Sequence, residues 1–459
     1  MLKRTVGRGK RTVWGAVGIS LVAVLVAACG SSGNEAASSD QSAPGGSSSS
    51  AASESTPSSS ESSGGTVEIT YWSSSSQAEI DYLDSHFNDS HPGIKVTGQY
   101  VASADNTTAK VVAALKSNTE PNVLLGQDPS NLPLYAQSGK ALDLTEALKT
   151  ETDALYPGIK SGLFYQGKQL GFALGGVGNY VLFYNKDDFA KAGIAGPPTT
   201  WKQLSEDAVK LTDAAKNHFG IYIPLGSSEW ISYVWESLLW GNGGSLLNQD
   251  GTKVAFDSQA GIDALTTWYN LVQKDKAAPT TSFAQGGSFD GAPAFASGAV
   301  SMIVEGQWAL ADFKDINYGV ALMPAGTSGK SSAGIGIGVA TAFDTGNDAQ
   351  NKAAQEFIKW LGQPEQGAYL TSVSGGLPSA PAQLDQDLVK KQIAAQPTYS
   401  TFAAQLEFGQ VRPTIPGYAA ISQALSDNID KALRGKLTPE QAIKAAAETA
   451  NAALANAGS

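Results

Sequence analysis

The feature that most constrains the fold is a repeated change of hydrophobic period that begins near Val67. Thr66-Val67-Glu68-Ile69-Thr70-Tyr71-Trp72 alternates as a strand with one buried face does. Ile80, Leu83 and Phe87 then recur at helical spacing, and Ser76-x-x-Glu79 ahead of them is a capping-box pattern that starts a helix just past the strand. After His91-Pro92-Gly93, Ile94-Lys95-Val96 reads as a second strand, a helix follows over about Thr107–Ser117, and Val123-Leu124-Leu125 is a third strand. Strands alternating with helices predict an α/β fold, whose ligands sit beyond the carboxyl ends of the strands. That rule singles out Trp72 with Ser73–Ser76, Ser74 among them, and Asp128 after Gln127. Each admits a purely structural role: Trp72 as a packed strand end, Ser76 as a cap, and Asp128, ahead of Pro129-Ser130-Asn131, as a turn initiator.

The 459 residues exceed a typical single domain, so two domains are expected. The first 28 residues stand apart. Thr12–Ala28 is uncharged, follows Lys3, Arg4, Arg8, Lys10 and Arg11, and is interrupted by Gly15, Gly18 and Ser20. It falls short of the roughly 20 apolar residues that span a bilayer. A basic start, an apolar middle and small residues at the end describe an export signal. Val26-Ala27-Ala28-Cys29 resembles a bacterial lipobox, which implies cleavage before Cys29, lipidation of its thiol and acylation of the new amino terminus. Residues 1–28 are thus expected as signal peptide and 29–65 as a lipidated cysteine with a disordered tether.

Gly30–Gly65 is dominated by serine, glycine and alanine and has too little apolar surface to offset the entropy of ordering. A coil of this kind has a root-mean-square reach of roughly 30 to 35 Å. Cys29 is the only cysteine, which excludes an intrachain disulfide. Without the five basic residues ahead of Cys29, 26 Lys+Arg face 42 Asp+Glu, a net charge of −16. That balance argues against a nucleic-acid partner.

The stretch GKQLGFALGGVGNYVLFYNKDDFAKAGIAGPPTTWKQL, Gly167–Leu204, resembles the middle of the family 1 extracellular solute-binding proteins of ABC importers. Tyr184-Asn185-Lys186, Ala192-Gly193 and Pro198-Thr199-Thr200-Trp201 fill that family's pattern, with one residue added between proline and tryptophan. Further marks follow in order. They are Leu134–Gly139, Phe295-Ala296-Ser297-Gly298, Met302, Gly306-Gln307-Trp308, Tyr318-Gly319-Val320, Met323-Pro324, Arg412-Pro413, Ile415–Tyr418 and Thr438–Ala442. Independently, Ile421, Leu425, Ile429 and Leu433 make one helix face that Gly435 can stop, and Thr438, Pro439 and Gln441 supply the start of the next helix.

The resemblance implies a two-lobed periplasmic-binding-protein-like α/β fold with three interlobe crossings and a ligand cleft between the lobes. The crossings are expected near Val177–Tyr180, Gly334–Val339 and Gly375–Pro381, all rich in glycine. The lobes are expected as 66–177 plus 340–376 and 178–339 plus 377–459. Implied too are an extracytoplasmic location on the cell membrane, a sugar ligand, permease subunits as partners, a monomeric state, and neither cofactor nor metal.

A sugar offers apolar C–H faces and rims of hydroxyls, so its cleft needs flat aromatics beside carboxylates, amides and arginine. Trp72, Trp230 and Trp308 are the aromatic candidates; Trp235 falls on a core face and Trp240 is undecided. Asp128, Asn179, Glu229, Asp290, Glu305 and Arg412 are the polar candidates, with Ser74 and Gly334 at the expected cleft and crossing. Glu229 can instead cap its helix, Asp290 can be a turn residue, and Arg412 can form an interlobe ion pair. The mixture favours a neutral oligosaccharide over a phosphate ester. A tethered glycoside hydrolase and an importer receptor for a non-sugar solute such as a glycerol phosphate are the alternatives.

Catalytic patterns are missing. There is no G-x-S-x-G elbow, Pro324 replaces the first glycine of a phosphate loop in PAGTSGKS, and Val339 replaces the last glycine of a dinucleotide fingerprint after Gly334, Gly336 and Gly338. His86, His91 and His218 have no metal-ligand spacing.

Overall fold

Ile69 and Tyr71 are buried while Glu68 and Thr70 face solvent, so the predicted alternation is that of β1 (Val67–Ser73). The computed structural model describes residues 65–101, 104–281 and 291–457, all within one unit, Ser63–Ser459. The expectations for the signal peptide, for Cys29 and the tether, and for Asp290 lie outside the described residues.

The remaining strands are β2 (Ile94–Tyr100), β3 (Val123–Gln127), β4 (Phe164–Tyr165), β5 (Lys168–Gln169), β6 (Phe172–Ala173), β7 (Gly178–Asn185), β8 (Met302–Gly306), β9 (Tyr318–Ala321), β10 (Ala333–Gly336), β11 (Val339–Ala342) and β12 (Gly409–Val411). The first sheet runs β2-β1-β3-β11-β6, with β1 parallel to β2 and β3 and with β11 antiparallel to its neighbours. The second runs β12-β10-β7-β8, with β9 also on β7, while β4 and β5 form a small hairpin. The chain leaves the first sheet after Ala173, joins the second at Gly178, and returns between Gly336 and Val339. Beside the first passage, Leu377 pairs with Val177 in an isolated antiparallel bridge.

Helix boundaries follow their caps. Ser76 Oγ accepts from Glu79 N at 3.2 Å and opens the helix Gln77–Ser90, which buries Ile80, Leu83 and Phe87. The expected helix near Thr107 begins earlier, at Ala104. Thr438 and Gln441 form a complete capping box, with Gln441 N donating to Thr438 Oγ1 at 3.2 Å and Thr438 N donating to Gln441 Oε1 at 3.0 Å. Gly435, at φ +72°, follows the helix Tyr418–Leu433 in the left-handed conformation that suits glycine.

Two apolar clusters meet at β7. Val181 and Phe183 face the cluster that holds Tyr71, Leu124 and Phe357, whereas Tyr180 and Leu182 face the cluster that holds Trp235, Leu238, Ile421 and Leu425. Both faces of this strand are buried, which explains why its sequence is a continuous apolar run with no polar alternation.

Candidate functional site

The carboxyl ends of the parallel strands β1 and β3 lie side by side, with Trp72 paired to Leu124. Asp128 follows β3 and caps the turn Pro129–Asn131, its Oδ1 accepting from Ser130 N at 2.8 Å. The turn-initiator role is therefore real, yet it uses only one carboxylate oxygen. The other, Oδ2, accepts from Arg412 Nη2 at 2.8 Å. Arg412 stands just past β12 in the second sheet, and its Nη1 donates to Glu229 Oε1 at 2.6 Å. Glu229 is the first residue of the helix Glu229–Gly241. One guanidinium thus joins a strand end of the first sheet to a helix start packed against the second.

Burial of Arg412 works against its charge, but Asp128 and Glu229 outweigh burial and hold its pKa above the ordinary arginine range. The guanidinium also lies over Tyr233, 5.4 Å from the ring centroid. Tyr233 is one turn along the same helix, and Trp230 is 5.9 Å from it. Trp308 meets Trp230 edge-on at 5.9 Å, extending the aromatic wall. Trp230 and Tyr233 are 9 % and 8 % exposed, whereas Trp308, at 37 %, is the most open to solvent of the three.

The exposed indole is held in place from behind. Glu305, wholly buried in β8, accepts from Trp308 Nε1 at 2.8 Å and from Gly306 N at 3.0 Å. A side chain at Gly306 would place its Cβ 2.2 Å from the Trp308 ring, so the glycine before the tryptophan makes room for this fold-back. Gly334 does the same for Tyr233, whose ring stands 2.3 Å from where a Cβ would be.

The sequence candidates therefore divide. Asp128, Glu229, Arg412, Trp230 and Trp308 converge on one surface. Gly334 shapes that surface by admitting Tyr233 and has no side chain to offer. Asn179 and Glu305, expected as ligand contacts, are both wholly buried and reach no exposed surface of this structure. Asn179 instead donates from Nδ2 to Phe402 O at 2.8 Å, tying β7 to the helix Tyr399–Gln405. Trp72 is only 9 % exposed, with the Lys110 ammonium 4.1 Å from its ring centroid, and Ser74 is half-buried beyond β1. Trp235 packs edge-on against Phe256 in the core, as its spacing predicts.

Tyr233 was missed because it falls within a uniformly buried helix, where no periodicity separates a site residue from core. Trp240 lines a different cavity of about 850 Å³, together with Pro197, Pro198, Met323, Phe408 and Gln410. That cavity shares no residue with the Asp128–Arg412–Glu229 bridge. The bridge is the better candidate, since its polar groups converge from both sheets at strand and helix ends. Among the described residues, no cluster of three or more His, Cys, Asp or Glu side chains could hold a metal, and no helix is long and apolar enough to cross a membrane.

Residues 69–368 match the family described as bacterial extracellular solute-binding protein. The chain belongs to that family. A binding protein of Brucella abortus (strain 2308) is 28 % identical over 282 residues, a match that covers 60 % of this chain and 65 % of the relative. The sn-glycerol-3-phosphate-binding periplasmic protein UgpB of Rhizobium meliloti (strain 1021) is 24 % identical over 422 residues, 85 % of this chain and 94 % of the relative. Among solved structures, the cyclic alpha-maltosyl-1,6-maltose binding protein of Arthrobacter globiformis is 25 % identical with a TM-score of 0.75, covering 85 % of this chain and all of that one. The sugar-binding protein MalE of Xanthomonas citri, at 20 % identity and a TM-score of 0.74, covers 85 % and 98 % and shows the shared fold. This family member is thus an α/β protein of the two-lobed kind.

Proposed function

We propose that this chain is the lipid-anchored, extracytoplasmic substrate-binding subunit of an ABC importer, and that it captures a sugar, in particular an oligosaccharide. The observation that carries the reading is the exposed Trp308 indole, held rigid by Glu305 and set beside the charged bridge of Asp128, Arg412 and Glu229. An aromatic platform next to fixed polar groups suits a ring with one apolar face and a rim of hydroxyls. Support comes from the Arthrobacter protein, and from a Listeria monocytogenes substrate-binding protein solved with cycloalternan, 25 % identical with a TM-score of 0.65.

The proposal includes lobes at 66–177 plus 340–376 and 178–339 plus 377–459 with three crossings, in keeping with the changes of sheet after Ala173 and after Gly336. Hinge closure is carried over from the family: a solute that touches both lobes favours the closed form, and the closed monomer docks on the permease subunits. Cys29 carries the lipid. The chain binds its solute unchanged, as a receptor and not as a hydrolase.

The UgpB relatives favour a second reading, a glycerol phosphate receptor. One panel separates these. The purified chain is melted with linear and cyclic maltooligosaccharides, with sn-glycerol 3-phosphate and with buffer alone, and the sugars are assayed for cleavage. A bound sugar at 100 times its Kd stabilises the fold by about 2.7 kcal/mol. Stabilisation by a sugar without product is the expected outcome; turnover would point to the hydrolase, and a response to the phosphate alone to the second reading.

A further inference from the structure

An anionic solute entering this cleft would seek Arg412, whose two terminal nitrogens each already donate to a carboxylate. Nη1 donates to Glu229 and Nη2 to Asp128, so two carboxylates already pair with the guanidinium and compete with a phosphate for its charge. The charge count agrees. The single guanidinium meets two paired carboxylates and lies over the Tyr233 ring. Lys110, a cation on the first-sheet side, lies over Trp72. A phosphate at this guanidinium would stand beside two carboxylates already paired with it.

We propose that Asp128 makes this cleft selective for uncharged solutes, by pairing with Arg412, the cation that a phosphate or carboxylate ligand would seek. The proposal rests on the reading that this cleft is the solute site, and it narrows the solute to an uncharged polyhydroxyl molecule even though glycerol-phosphate binders share the family. Asp128 is well suited to a test, since its second role is to cap a turn through Oδ1. Asparagine caps as well as aspartate does, so Asp128→Asn removes the charge and keeps the turn.

The test is isothermal titration calorimetry on the whole chain in detergent, wild type and Asp128→Asn, at low and high salt. The probes are maltotriose, a cyclic maltooligosaccharide and sn-glycerol 3-phosphate. The variant is expected to gain affinity for sn-glycerol 3-phosphate by about tenfold or more at low salt, and to lose that gain as salt screens it. Its affinity for an oligosaccharide should change less. A wild type that binds sn-glycerol 3-phosphate more tightly than an oligosaccharide it also binds overturns the proposal, as does a variant with no gain for the phosphate. The two readings fail separately. If neither protein binds an oligosaccharide but the variant gains the phosphate, selectivity by Asp128 stands and the sugar reading falls. A sugar bound by both with no gain for the phosphate does the reverse.

Discussion

At the scale of single residues, the site depends on side chains whose environments give them different tasks. Arg412 is charged and doubly paired, whereas Glu236, on the helix that carries Glu229, is wholly buried close to Tyr418 without a hydrogen bond that satisfies it. Burial pushes its carboxyl from an ordinary value of 4.5 up to about 8, against the pull of Arg412. The folded chain then keeps a proton that the unfolded chain releases above its own lower pKa. Bound protons favour the fold at low pH, so stability from this group falls as pH rises from 4.5 through about 8. Glu236→Gln is neutral at every pH, and its melting temperature relative to wild type should be more favourable at pH 8.5 than at pH 5, read by calorimetry at both. An equal difference at the two pH values would show that Glu236 is not held protonated. Glu236 carried no signal in the sequence, because a carboxylate in a helix is most often solvated and nothing local reveals that this one faces inward.

At the scale of elements, β7 and β8 separate support from contact. Asn179 in β7 and Trp308 after β8 were both legible as polar and aromatic candidates, but a strand's neighbours decide which way each can act. Asn179→Ala removes the bond to Phe402 O and should lower stability by about 1–3 kcal/mol. Since Asn179 is wholly buried, affinity for an identified sugar should be nearly unchanged. Trp308→Ala should do the opposite, costing about 1 kcal/mol or more of binding with a smaller loss of stability. Denaturant titration alongside calorimetry checks both. A collapse of affinity in Asn179→Ala with stability intact would return that residue to the cleft. Caps are the counter-example, fully legible in advance: Ser76 with Glu79, and Thr438 with Gln441, act within four residues and need no distant partner.

At the scale of the whole molecule, the start of β1 lies at the end of the strand opposite Trp72. Parallel β1 and β3 present Trp72 and Asp128 at their carboxyl ends, about 20 Å along the strand from Val67. Cys29→Ala should release the chain from membranes in a fractionation, with solute affinity retained; unchanged membrane association would contradict lipid attachment. Much of this was open to the sequence alone. Period, caps and breaks determined the first three strands and the helices beside them and at the end of the chain, and the ordered motifs from Leu134 to Ala442 pointed to the family, because those signals are local or repeat in a fixed order. Tertiary structure decided which candidates meet and which are buried. Asp128 and Arg412 are 284 residues apart in the chain, and only the packing of the two sheets brings them to 2.8 Å. Whether an arginine is a free ligand for an anion or already neutralised depends on neighbours that no local pattern records.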